Sequence, residues 1–435
     1  MSLDDARRVR RRFIVLSATR WFPVGLLIPV LTVLLQERGM TVATIGLLSG
    51  LSSAMVVLFE LPTGGLADTI GRRPVLLVAG LLSLLSMSLI SFSEATWLFV
   101  LAWAIEGVYR ALDSGPLESW FVDAAQAADV DADIESGLAA ESVVISAALG
   151  GGALLGGVLA LVPTPSAWPA LALPIVVAIV LRIVDLAFLW HLLDESRARP
   201  AGSGWSPIRD SARTIRDAIG LLRVSGALCA LAAIELFWGA GMTGVEILSG
   251  LRMVDLVGDT EQGVLAYAVT AAVAWGVSGA GAAVAPWVAR RTGSWVRAAI
   301  VARIAQGVGV ALAVVIAGPI GLVLGYLGFY LVHGTANVAH YGLVHRHTTA
   351  AHRATMVSVN SLTSRLGGMV AAPALGALAG GQGLVAGFAV SAVLLVLSAP
   401  LYLFASRGRT AEPLGPVAQI DTQLVGLDHT KLGAE

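Results

Sequence analysis

The segment WAIEGVYRALDSGPLESWFVD, residues 103–123, sets Glu106, Arg110 and Asp113 four and three positions apart. On a helix these spacings put all three on one face, where one guanidinium can satisfy both acids. Glu106 or Asp113 is therefore a candidate proton carrier, and a structural ion pair is the competing reading. Glu235, in AAIELFWGAG, has no basic neighbour one turn away. An isolated buried carboxylate suits reversible protonation, so Glu235 is preferred to Glu106 as the coupling acid; a carboxylate hydrogen-bonded to a neighbouring helix is its alternative. Beside it, Phe237 and Trp238 could attract a cationic or aromatic compound. In HGTANVAHY, His333, Asn337, His340 and Tyr341 recur every three to four residues. That face is expected to line a polar cavity, with a packed interhelical contact as the other possibility.

The remaining chemistry is quickly bounded. Cys229 is the single cysteine, which excludes an intrachain disulfide and a multi-cysteine metal site. HRHTTAAH (345–352) is histidine-rich, but it falls in a charged loop, and no metal or cofactor is expected. No phosphate-binding loop, nucleophile elbow or zinc signature is found, so neither ATP hydrolysis nor membrane-bound hydrolysis has support and the chain is not expected to be an enzyme. A net charge of -1 argues against a nucleic-acid partner.

These charged groups must be held by elements that suit lipid. Only 13% of the 435 residues are charged and 56% are hydrophobic, against about 25% charged in a soluble protein. Runs long enough to cross a bilayer fall at 13–36, 42–64, 74–93, 97–121, 138–162 and 168–193. A second set falls at 224–248, 262–288, 296–317, 319–344, 354–379 and 384–405. A charge at the centre of a membrane helix costs about 2.5–3.5 kcal/mol or more. Arg20, Arg110, Arg182, Arg303 and Arg365, with Glu60, Glu106, Asp113, Glu118, Glu141, Asp185, Glu235 and Glu246, therefore each need a partner, a cavity or a task. Arg20, Arg110 and Arg365 are expected at the substrate cavity, and Arg182 with Asp185 as a local pair.

Arginines set the orientation. Counting twelve spans puts Arg7, Arg8, Arg10, Arg11, Arg12, Arg72, Arg73, Arg290, Arg291, Arg346 and Arg353 on one side and only Arg38 and Arg252 on the other. Both termini are thus expected in the cytoplasm, in a multi-pass plasma-membrane protein. The polar connection 194–223 divides the chain into bundles 1–193 and 224–405, followed by a tail, 406–435. Within the connection, SPIRDSARTIRDAIGLL has the pattern of a helix lying on the inner membrane surface or of a solvated linker helix. TIGLLSGL (44–51) aligns with EQGVLAYA (261–268), and ALGG (148–151) with RLGG (365–368), at the same displacement. Shared displacement and the six-plus-six division favour two homologous halves.

The loop between the second and third spans reads LPTGGLADTIGRRPVLL. Gly64 and Gly71 allow a tight turn, Asp68 is placed to cap a helix N-terminus, and Arg72 and Arg73 can reach carboxylates at nearby helix ends, with Asp123 the candidate. Gly64, Asp68, Gly71, Arg72 and Arg73 resemble the loop signature of the major facilitator superfamily, G-x-x-x-D-[RK]-x-G-R-[RK], with Thr69 where a basic residue is usual. A purely topological role for the arginines is the alternative reading. The resemblance implies an all-α fold of two pseudo-symmetric six-helix bundles and a loop that latches the halves on the cytoplasmic side. The corresponding loop, VARRTGSW (288–295), lacks the acid.

In the fifth span, GALLGG, carrying Gly152, Gly156 and Gly157, is similar to the G-P-x-x-G-G motif of the superfamily's exporters, with Ala153 replacing proline; small-residue packing is its plain alternative. Such exporters often carry an arginine four residues before the glycine matching Gly107, and here Trp103 stands there. The combined expectation is a proton-coupled exporter of small amphipathic compounds, resembling the drug:proton antiporters, working by alternating access as a monomer in a lipid bilayer. An importer or facilitator of a polar metabolite is the alternative, and a receptor or scaffold is a third.

Overall fold

The computed structural model describes residues 3–165, 168, 171–195, 220, 222–223, 225–349 and 352–405; of Gly64 and Asp68 it describes only the backbone. The proposed linker helix and the tail lie outside the described residues.

The chain is all-α, and each expected span is present. Span one is Leu3–Leu27 continued after a break by Leu31–Glu37. Span two is Val42–Ile70, span three Arg72–Phe92, span five Ile134–Ala160 and span six Ala172–Leu192. The second bundle comprises Gly226–Val257, Thr260–Thr292, Trp295–Val315, Gly318–His347, Arg353–Gln382 and Leu384–Ser398, spans seven to twelve. Two expectations need correction. The run at 13–36 is interrupted at residues 28–30, beside Pro29. The run at 97–121 is two helices, Thr96–Asp113 and Pro116–Ala128, because Gly115 takes φ 93° and Pro116 begins the second helix. A left-handed glycine followed by proline at the first helical position is a strong stop-and-restart signal.

By length and composition 10 of the described helices can cross a membrane. Span four fails because Glu106, Arg110 and Asp113 crowd its short first helix, and span eleven because it is rich in small residues around Arg365. Both pack among the ten.

Packing follows a two-fold rule. Span one packs on five and six, two on four, and three on four and six; span seven packs on eleven and twelve, eight on ten, and nine on ten and twelve. Each pair recurs six spans later, as two homologous bundles require. The bundles meet along spans two and eleven and along five and eight. Their close approaches use small residues. Gly46 lies against Ala372 and Gly376, Gly150 against Ala272, and Gly157 against Leu265 and Ala268. Thr260 donates to Glu37 at 3.0 Å nearby. This closure lies at the end of the bundles away from the chain termini.

Candidate functional site

The first helix of span four ends at Asp113, leaving its carbonyl without a helical partner. Arg20 of span one takes up both functions of that residue. Its Nε donates to the carboxylate at 2.8 Å and its Nη2 to the carbonyl at 2.6 Å. Among the described residues Arg110 bonds only Glu106, at 3.0 Å. The expectation that Arg110 bridges both acids is thus corrected: the helix break turns Asp113 towards span one. In span six, Arg182 donates to Asp185 at 3.0 Å and to the Tyr109 hydroxyl at 3.2 Å, while Thr19 donates to Asp185 at 2.7 Å.

A cavity of about 200 Å³ lies beside these pairs and straddles the span-four break, with Tyr109 and Arg110 lining it before the break and Leu117 and Glu118 after it. Arg20, Arg110 and Asp113 form part of its wall, and Arg365 enters from span eleven of the other half. Trp21 and Tyr109 supply aromatic surface, and Glu118 and Glu141 add two carboxylates. Glu141 is only 6% exposed, and one of its oxygens accepts the Ser17 hydroxyl at 3.0 Å.

The second half holds its charges differently. Arg303 of span nine donates to Glu235 at 3.1 Å and to Gln306 at 2.9 Å. Glu235 is therefore not isolated; it lacks a basic neighbour along its own helix but meets one from span nine. Gln306 hydrogen-bonds His333 at 3.3 Å, and His333 bonds Asn337 at 3.0 Å. His340 is fully buried, with Nδ1 2.9 Å from the Tyr402 hydroxyl and Nε2 3.2 Å from Asn360 Oδ1. The acceptor oxygen of Asn360 places the proton on Nε2, which also lies 3.4 Å from Glu235. Trp238 stacks on His333 with ring centroids 5.5 Å apart.

For His340 the expected polar lining is corrected, because that residue is fully buried, whereas His333, Asn337 and Tyr341 are half-buried. His340 ties spans ten, eleven and twelve together inside the bundle, and His333, Asn337, Tyr341, Phe237 and Trp238 are absent from the wall of the 200 Å³ cavity. The helical period brings the polar residues to one face, and of the four only His340 is fully buried.

Residues 13–371 match the sequence profile of the Major Facilitator Superfamily. The chain belongs to this superfamily. It is accordingly a multi-pass membrane transporter of the secondary type, with a small-molecule substrate, rather than an enzyme. The transporter is 36% identical over 91 residues to the class B tetracycline resistance protein of Escherichia coli, a stretch covering 20% of this chain and 23% of that protein. It therefore spans less than a quarter of the length of that relative. Solved structures of similar fold include the nucleoside transporter NupG, at TM-score 0.74 and 12% identity, covering 92% of this chain and 99% of that one. Another is an inward-facing, unoccupied bacterial homologue of the human lysosomal transporter Spinster, at TM-score 0.73 and 16% identity, covering 94% and 98%.

The loop signature of the transporter is anchored within the first half. Arg72 forms an ion pair with Asp123 at 2.7 Å. Arg73 instead donates to the Trp190 carbonyl at 2.5 Å and lies over that indole, 4.2 Å from the ring centroid. The carboxylate that caps span three belongs to Glu195, which accepts the backbone N–H of Arg72 at 2.8 Å and of Arg73 at 3.3 Å. Glu195 is more than a hundred residues away in the chain, so local sequence reading missed it. The side chain of Asp68, expected to cap a helix, lies outside the described residues.

The span-five glycines face two ways. Gly152 and Gly156 abut the Phe22 and Leu26 carbonyls of span one, whereas Gly157 abuts span eight of the other half. One side of the motif welds a bundle and the other forms its contact with the partner bundle.

Proposed function

We propose that this transporter is a proton-coupled exporter of small amphipathic compounds, with the Arg20–Asp113 pair as its coupling element. The observation that carries the reading is the position of that pair: it sits at a helix break, joins spans one and four, and forms part of the wall of the cavity. A proton arriving on Asp113 removes the charge that holds Arg20 and frees the guanidinium, which loosens span four from span one. An ion pair exposed to a cavity can be remade at low cost, because water takes up whichever partner is released. Glu106 and Glu235, the other acids with a candidate proton role, are likewise paired with an arginine, but Asp113 alone of the three is on the cavity wall.

The arginine asymmetry supports cytoplasmic termini in the plasma membrane. Bundle closure at the opposite end then leaves the cavity on the cytoplasmic side, where an exporter collects its passenger. The partial likeness to a tetracycline resistance protein points in the same direction. A monomer contains both halves of the cavity.

Inside-out membrane vesicles test the direction. An acid lumen drives accumulation of the compound for wild type and not for Asp113→Asn, whose protein remains folded. Accumulation only in right-side-out vesicles with acid outside would make the chain an importer and overturn the proposal.

A further inference from the structure

We infer that the end of spans eight, nine and ten that faces the chain termini binds the headgroup of an anionic phospholipid, with Arg291, Arg297 and Arg346 as its phosphate ligands. The site lies outside the cavity and does not depend on the direction of transport. No aspartate or glutamate occurs from residue 262 to residue 411. Spans eight to twelve therefore supply no carboxylate, yet arginines stand at the ends of spans eight and ten and at the start of span nine. At the same end of the first bundle acids answer the arginines, Asp5 for Arg8 and Asp123 for Arg72. The arginine ion pairs described in the second bundle are Arg252 with Asp255 and Arg303 with Glu235. Arg291, Arg297 and Arg346 have none among the described residues. The first bundle is poorly placed to supply one: span nine packs on spans eight, ten and twelve. Span eight meets the first bundle at Leu265, Ala268 and Ala272, and Ala272 is about 28 Å along the helix from Arg291.

The three guanidiniums gather about the turn between spans eight and nine. Arg291 lies over the Trp287 ring, 5.5 Å from its centroid, and Arg346 of span ten lies over Trp295 of span nine at 5.7 Å. Arg297 donates to the Thr292 carbonyl at 3.5 Å. These contacts hold the side chains near the turn and leave their charge unneutralised. Two of the arginines also end the lipid-facing rows of their helices. On span eight Val284, Trp287 and Arg291 are exposed at three- and four-residue spacing, and on span nine so are Arg297, Val301, Ile304 and Val308. Such spacing puts each set on one helix face. A phospholipid whose chains lie along these rows presents its phosphate to Arg291 and Arg297, at the level where a tryptophan marks the membrane interface. Guanidinium forks match phosphate oxygens in pairs, and basic clusters beside membrane helices attract anionic headgroups. A zwitterionic headgroup brings a cation of its own, which three arginines disfavour, and a soluble polyanion has no use for the apolar rows.

Native mass spectrometry of the purified full-length transporter, released from micelles holding equal phosphatidylglycerol and phosphatidylcholine, counts the lipid that each protein retains. The expected result is a preference for phosphatidylglycerol that Arg291→Gln, Arg297→Gln and Arg346→Gln together lower about tenfold, at an unchanged melting temperature. Arg297→Gln alone, at an exposed position, loses part of the preference, and lysine at all three positions keeps most of it. Arg10→Gln, Arg11→Gln and Arg12→Gln together remove as many charges from the first bundle and leave the preference intact. Equal retention of the two lipids by wild type, a glutamine triple that retains phosphatidylglycerol as wild type does, or a lysine triple that loses as much as the glutamine triple would overturn the inference. Equal loss in the first-bundle variant would assign the attraction to overall charge, and displacement of the lipid by inorganic phosphate would make this a site for a free anion; either result also overturns it.

Discussion

The two bundles share a packing plan and each holds a buried charge network. Arg182 with Asp185, Tyr109 and Thr19 forms that of the first and Arg303 with Glu235 and Gln306 that of the second, but the first also sets a pair on a cavity wall. In the first, Arg20 and Asp113 meet at a break in span four and face a cavity. In the second, Glu235, Arg303, Gln306, His333 and Asn337 form an unbroken chain across spans seven, nine and ten, and His340 extends it to eleven and twelve. A network whose members are satisfied by one another fixes the packing of the helices that contribute them. A pair beside a cavity can exchange partners with water, a proton or a passenger. On the proposed function, the contrast gives positioning to the second-half network and ion exchange to the cavity pair of the first.

Removing Arg303 should have the largest effect on stability. Glu235 is only 4% exposed, so Arg303→Leu leaves an unpaired buried charge and should cost about 3–5 kcal/mol, read as a lowered unfolding midpoint in detergent. Combining it with Glu235→Leu should recover most of the loss; no recovery would show that the network does more than satisfy its own charges. Gly152→Ala comes next, because its added carbon meets the Phe22 backbone within one bundle; a loss of about 1–3 kcal/mol is expected. Gly157→Ala, across the bundle boundary, should instead slow transport several-fold with less change in melting. Equal behaviour of the two glycines would erase the distinction between welded and moving contacts.

Arg20→Ala should cost only about 1–2 kcal/mol, since the cavity can hydrate Asp113. A loss as large as that for Arg303 would mean that both halves are equally locked. Smallest of all, Arg72→Ala should change stability by about 1 kcal/mol or less, because the Asp123 side chain is 47% exposed and a half-solvated pair contributes little.

Sequence patterns make the fold readable because lipid demands long apolar runs, and the two halves repeat their packing. Local chemistry is readable where partners lie one turn apart, as for Arg110 with Glu106 or Arg182 with Asp185. Arg72 with Asp123 is also legible, since both belong at the same loop-side end of their spans. Glu235 reads as isolated on its own helix because its arginine is 68 residues away. A useful signal is present nonetheless: Arg303 is the one charge in the interior of span nine, and two lone opposite charges in one bundle invite pairing. Glycine and proline at 115 and 116 carried the span-four break, outweighed by the apolar run around them. In span ten periodicity reports that the polar residues share a face but not which of them is buried, and His340 is fully so.

The most direct test compares Asp113→Asn with Glu235→Gln in proteoliposomes, measuring proton-driven accumulation and gradient-free substrate exchange in each. Asp113→Asn should abolish proton-driven accumulation and keep exchange, while Glu235→Gln should keep the proton response in whatever protein remains folded. Loss of the proton response in Glu235→Gln alone, with Asp113→Asn behaving as wild type, would place coupling in the second half and contradict the account.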